Sequence, residues 1–123
     1  MNIAPSPKGQ GRLLKGANMA TQTFDKSSFE KAISENGVVL VDFWATWCPP
    51  CRAFGPIYEK SSEEHPDFVY GKVDVDDNQD LAVQYSVQAI PTLMIVKDGN
   101  VVYKKAGALN AEQLEAKIKE ATK

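Results

Sequence analysis

Thr46-Trp47-Cys48-Pro49-Pro50-Cys51-Arg52 holds the only two cysteines in a chain of 123 residues, three positions apart with two prolines between them. An apolar run, Val38–Ala45, leads into this stretch and is interrupted only by Asp42. Such a run reads as a central strand buried on both faces. A helical pattern follows from Cys48 to about Glu64, with Pro49 and Pro50 in its first turn, where free N–H groups are not needed. Pro56 falls in its interior, where a kink is expected. A cysteine pair at the start of a helix after a buried strand has three uses: a metal half-site, a staple, or electron exchange.

A chain this long forms one domain and buries a core without staples. With 43% hydrophobic and 24% charged residues it has the composition of an ordinary globular protein. No apolar run approaches the roughly 20 residues that span a bilayer. The formal charge of −2 is unevenly distributed. Residues 1–18 carry Lys8, Arg12 and Lys15 and no acid, or +3, which leaves 11 basic against 16 acidic groups, or −5, for the rest. An acidic body argues against nucleic acid as the partner, because phosphate binding leaves a basic footprint.

Two segments are expected: an N-terminal extension, residues 1–18, and a folded domain, residues 19–123. The extension is rich in Gly, Pro, Lys and Asn, and is expected to be disordered. It lacks the apolar segment of a secretory signal, from which a cytoplasmic location is expected. If the source is bacterial, codons for Lys15-Gly16-Ala17 can spell a ribosome-binding sequence. Residues 1–18 would then be a leader, with Met19 the natural start.

Along the body, Thr21–Phe24 is a short edge strand. Ser27 and Glu30 match a capping box for a helix with Phe29, Ala32 and Ile33 inward, and Asn36-Gly37 carries the glycine stop signal. Phe68–Val75 is a second parallel-type strand and Asn78–Tyr85 a short helix with Leu81 and Tyr85 on one face. Thr92–Val96 is a strand, Lys97-Asp98-Gly99-Asn100 a hairpin turn and Val101–Lys105 the last strand. Asn110 caps a final helix, Ala111–Thr122, with Leu114 and Ile118 inward. The order β-α-β-α-β-α-β-β-α predicts an α/β fold, helices on both faces of a mostly parallel sheet with an antiparallel hairpin at one side.

The helix that begins at Cys48 aims its free N–H groups and dipole at the first sulfur, which favours the thiolate and makes Cys48 the attacking group. Cys51, one turn further in, is close enough for a disulfide and is the resolving thiol. Zinc would need two more ligands, and the single histidine, His65, lies at the far end of the helix. His65 itself reads as an exposed residue complementing the helix dipole. A carboxylate within a doubly buried strand has a raised pKa unless paired, so Asp42 is a candidate base for the Cys51 proton; the bland alternative is an aspartate turned to solvent. Lys72, in the neighbouring strand, is its candidate charge partner. Trp44 reads as a wall behind the site or as core. Ile90-Pro91 opens a strand, either in cis beside Cys48 with the Ile90 backbone exposed, or in trans at an edge. Asp74, Asp76, Asp77 and Asp80 lack the glycine and terminal glutamate of a calcium loop and read as a solvated loop.

Together these residues resemble the thioredoxin family over Thr21–Thr122. The matching pieces are Val41-Asp42-Phe43-Trp44-Ala45, Trp47-Cys48 through Cys51, Pro56, Lys72 before Asp74, Ile90-Pro91-Thr92, Lys97-Asp98-Gly99 and Gly107-Ala108-Leu109. The resemblance implies a thioredoxin fold, a central mixed sheet of about five strands flanked by about four helices. It implies reduction of protein disulfides, with no cofactor or metal bound and with electrons drawn from NADPH through a thioredoxin reductase. Cys48 would be nucleophile, Cys51 resolver, Asp42 buried base and Pro91 the cis-proline. Trp47, Ile90, Pro91, Gly107 and Ala108 would form the substrate surface of a monomer. Three positions depart from the pattern: Pro49 where glycine is usual, Arg52 where lysine is usual, and Gln88 where arginine is common. Pro49 deletes an N–H near the Cys48 sulfur. It keeps alive a reductase or isomerase dedicated to one pathway; a binding or holdase subunit without turnover is the other alternative.

Overall fold

The computed structural model describes residues 20–123; residues 1–19, and with them the expected extension and start at Met19, lie outside the described residues. Nine elements follow one another as β1 (Thr21–Thr23), α1 (Lys26–Glu35), β2 (Val38–Trp44), α2 (Pro49–Glu64), β3 (Val69–Asp74), α3 (Gln79–Gln84), β4 (Thr92–Lys97), β5 (Asn100–Ala106) and α4 (Ala111–Ala121). The sheet order is β1-β3-β2-β4-β5. β3 runs parallel to both β1 and β2, whereas β4 runs antiparallel to β2 and to β5.

The orientation of β4 corrects the expected mostly parallel sheet. A six-residue helix spans about 9 Å and the six-residue β3 about 20 Å, so α3 cannot carry the chain back along the sheet. β4 therefore enters at the end where β2 finishes, with Thr92 beside Phe43.

Alternation along β2 divides the core into two layers. Val39, Val41 and Phe43 pack with Phe29 and Ala32 of α1 and Leu81 of α3. Leu40 packs on the other side with Phe54 and Tyr58 of α2 and Leu114 and Ile118 of α4. Residues two apart on a strand share a face, so Asp42 and Trp44 look toward α2 with Leu40. At the β4–β5 turn, Asp98 and Gly99 have φ of 52° and 83°, the two left-handed residues of the primed turn that suits hairpin twist.

Two helix ends differ from expectation. Asp25, not Ser27, caps α1: it accepts from the Ser28 amide, while the Ser28 hydroxyl accepts from the Asp25 amide. In Asp25-Lys26-Ser27-Ser28 three residues are competent caps, and the cap at Asp25 starts the helix so that Phe29 is fully buried. At its other end α1 stops on an extended Asn36 whose amide and side chain both donate to the Ala32 carbonyl. The side chain takes over the work expected of Gly37.

Gly71 in β3 is a steric requirement, because a Cβ there would lie 1.9 Å from the Phe24 ring. Gly71→Ala is expected to lower stability by about 3 kcal/mol, the upper end of the range for overpacked cores. Urea unfolding measures it; an unchanged midpoint would show that Phe24 has room to turn aside.

Candidate active site

Cys48 is the residue before the first turn of α2, and Pro49 and Pro50 occupy that turn. The geometry puts the amide of Cys51 3.2 Å from the Cys48 sulfur, so the sulfur serves as the helix cap. A thiolate held there would receive an N–H and the positive end of the helix dipole, both of which favour it over the thiol. In this structure the two sulfurs are joined as a disulfide, with the Cα atoms 5.2 Å apart. Both cysteines are nearly covered, and Trp44, Val75 and Ile90 pack around them with Ala45. Pro56 lies inside α2 without ending it.

Ile90 and Pro91 stand across from Cys48: the Ile90 carbonyl oxygen is 3.9 Å from its sulfur, and the Ile90–Pro91 peptide is cis. Pro91 is buried, and its carbonyl accepts from the Gly107 amide at 2.8 Å. Gly107, at φ of 116°, adopts backbone geometry that side-chain-bearing residues rarely take. Gly107 and Ala108 are exposed. Trp47 is 62% exposed, the indole on the surface in front of the disulfide. Cys48, Trp47, Ile90, Pro91 and Gly107 thus come together at one end of the sheet.

Asp42 is completely buried, which removes the solvent-facing alternative. Neither carboxylate oxygen has a hydrogen-bond partner among the described residues. Burial pushes its pKa up to about 7, against the opposing pull of the Lys72 charge. Lys72 is the register partner of Asp42 across β2 and β3, yet makes no ion pair with it; its Nζ sits 4.5 Å over the Trp44 ring. Trp44 thus packs on the cysteine cluster and also carries the Lys72 ammonium over its ring.

Two functional contacts were not visible in the sequence. Asp76 accepts from the Trp47 indole N–H at 2.8 Å, so one member of the acidic loop fixes the exposed tryptophan. Arg52 donates to the Thr46 carbonyl at 3.2 Å and steadies the loop before Cys48. The first joins segments 29 positions apart and the second spans only six, and neither leaves a periodic trace. His65, expected to be exposed, instead meets Glu115 of α4 at 2.6 Å and stacks on Phe68. Glu115 also accepts from Ser61, one turn back on α2, and so bridges the two helices. Gln88 is exposed. Among the described residues no three metal-ligand side chains gather, and no helix is long and apolar enough to cross a membrane.

Comparison with known proteins agrees with this geometry. The Thioredoxin family model matches residues 20–120. A thioredoxin of Alicyclobacillus acidocaldarius is 42% identical over 100 residues, covering 80% of this chain and 95% of that protein. Thioredoxin-1 of Saccharomyces cerevisiae is 44% identical over 90 residues, covering 73% of this chain and 87% of that protein. The X-ray structure of Fasciola hepatica thioredoxin superposes with a TM-score of 0.76 at 39% identity, covering 81% of this chain and 98% of that one. With a cysteine pair at disulfide distance on the start of α2, the chain belongs to the thioredoxin family and is a protein-disulfide oxidoreductase.

Proposed function

We propose that the protein is a general reductant of protein disulfides, recharged with electrons from NADPH by a thioredoxin reductase. The observation that carries this reading is the Cys51 amide on the Cys48 sulfur at the mouth of α2. In the cycle the Cys48 thiolate attacks one sulfur of a substrate disulfide. That S–S bond breaks, a mixed disulfide with Cys48 forms, and the first substrate sulfur leaves as a thiolate that takes a proton from water. Asp42 then accepts the Cys51 proton, and the Cys51 thiolate attacks the Cys48 sulfur. The second substrate thiolate departs, leaving the Cys48–Cys51 disulfide. Two electrons have passed to the substrate, and the reductase returns them.

Trp47, Ile90, Pro91, Gly107 and Ala108 form the surface that receives an extended substrate segment. Lys72 and Trp44 support Asp42, and Pro49 and Pro50 stiffen the turn between the sulfurs. The domain acts as a monomer spanning residues 19–123, in the cytoplasm, where a nicotinamide-fed reductase keeps dithiols reduced. No metal, nucleic acid or membrane takes part.

Insulin reduction tests the recharging step. With NADPH and a thioredoxin reductase, NADPH oxidation should depend on the protein and continue through many turnovers. Turnover with dithiothreitol but none with the reductase would instead favour a reductase or isomerase tied to one pathway, for which Pro49 is the specific departure.

A further inference from the structure

Tyr58 is a fully buried phenol on α2, two turns beyond Cys51 and on the same face as Phe54. Its hydroxyl donates to the Gly71 carbonyl of β3 at 2.8 Å. Gly71 immediately precedes Lys72, and in the register of β2 against β3 these two residues stand beside Val41 and Asp42. Tyr58 therefore fastens the cysteine helix to the backbone one residue from Lys72, the charge set against Asp42 among the described residues. α2 passes close to Lys72 on this face: a Cβ at Gly55 would lie in ordinary contact with Nζ, at 3.9 Å.

We propose that Tyr58 is a positioning residue for Asp42: by tying α2 to the Gly71 carbonyl it keeps the space between helix and sheet dry and holds Lys72 in register with the carboxylate. The titratable groups set against Asp42 are Lys72, Tyr58 and, in the proposed cycle, the Cys51 thiol of α2. β3 contributes Lys72 and α2 contributes Tyr58, whose own ionisation is pushed well up by burial first and by Asp42 second. β4 presents Leu93 as the register partner, and α4 closes the layer with Leu114 and Ile118, all apolar. Asp42 has no hydrogen bond of its own, so its protonation is governed by how completely water is excluded. The Tyr58–Gly71 bond ties helix to sheet beside the register position of Asp42 and so helps to exclude water.

Loss of the hydroxyl removes the side-chain donor to the Gly71 carbonyl, and water that takes its place also hydrates Asp42. Hydration favours the carboxylate, so the titration midpoint of Asp42 falls. The inference rests on the proposed role of Asp42 as base, and two separate readouts keep the two apart. Carboxyl NMR follows Asp42 directly in the oxidised protein, and the pH dependence of insulin reduction follows the exchange.

Tyr58→Phe is expected to lower the Asp42 midpoint by about half a pH unit or more and to move the activity profile the same way. Tyr70→Phe is the control, since it removes a hydroxyl on the same layer that bonds to Ser61 rather than to the sheet. Both variants should lose some thermal stability, but Tyr70→Phe should leave the Asp42 midpoint in place. An Asp42 midpoint unchanged in Tyr58→Phe, or shifted equally in Tyr70→Phe, overturns the proposal and reduces Tyr58 to a packing residue. A midpoint that moves while the activity profile stays put upholds the hold of Tyr58 on Asp42 and overturns the base role of Asp42 instead.

Discussion

Cys48→Ser should abolish disulfide reduction, with insulin turnover falling at least about a thousandfold, because a serine hydroxyl is almost wholly protonated at neutral pH and forms no bond to sulfur that exchanges. Cys51→Ser should fail differently. The Cys48 thiolate still attacks, but nothing resolves the product, so a mixed disulfide with the substrate accumulates. The two variants therefore share one loss of turnover and differ in mass: an adduct of one substrate chain forms with Cys51→Ser and none with Cys48→Ser. The asymmetry follows from the cap, since the Cys51 amide points at Cys48 and, among the described residues, the Cys51 sulfur receives no equivalent donor. Turnover by Cys48→Ser equal to the parent would overturn the role of Cys48 as the attacking group.

Asp42→Asn should stabilise the protein at alkaline pH. The carboxyl pKa rises from an ordinary 3.8 unfolded to about 7 folded. Between those values the folded protein holds a proton that the unfolded chain has released, so stability falls as pH rises through this window and levels off above about 7. A shift of about three units corresponds to about 4 kcal/mol at pH 8, of which the amide variant recovers about 2–4 kcal/mol. Below pH 4 the gain should vanish, because Asp42 is then neutral in both states. Denaturant unfolding at pH 4 and pH 8 provides the comparison, and a gain of equal size at both would locate its origin outside the titration of Asp42. The same variant should resolve mixed disulfides more slowly above pH 7, having no carboxylate to take the Cys51 proton.

The opposite effects of Asp42 on stability and on exchange separate what the sequence made legible from what it hid. Element order, the doubly buried β2 and the start of α2 all carry a periodic or local signal: Val38–Ala45, Asp98-Gly99 and Cys48-Pro49-Pro50 are legible because each acts within a few residues. The direction of β4 depended on the length of α3 compared with β3, a comparison between elements that periodicity does not make. The true cap of α1 lay among three competent neighbours, and burial of Phe29 chose between them. Cys48, Cys51, Asp42 and Pro91 were recognisable as candidates, but the polar ties around them were not. Trp47 meets Asp76 across 29 positions, Tyr58 meets Gly71 across 13 and His65 meets Glu115 across 50. A single polar residue in each partner leaves no pattern from which such a pairing could be read.

β2 is the middle strand of five, paired on both sides over most of its length. Amides in such a strand open only when the whole fold opens, whereas helix ends and surface loops open locally at far lower cost. In the proposed cycle the attacking sulfur stands on a helix end and the proton acceptor on that middle strand. Hydrogen exchange should therefore find Val41, Asp42 and Phe43 among the slowest amides in the protein and Trp47 among the fast ones. On that proposal the half of the chemistry that meets the substrate lies in the yielding part of the molecule, and the half that handles a single proton lies where the chain is last to let go.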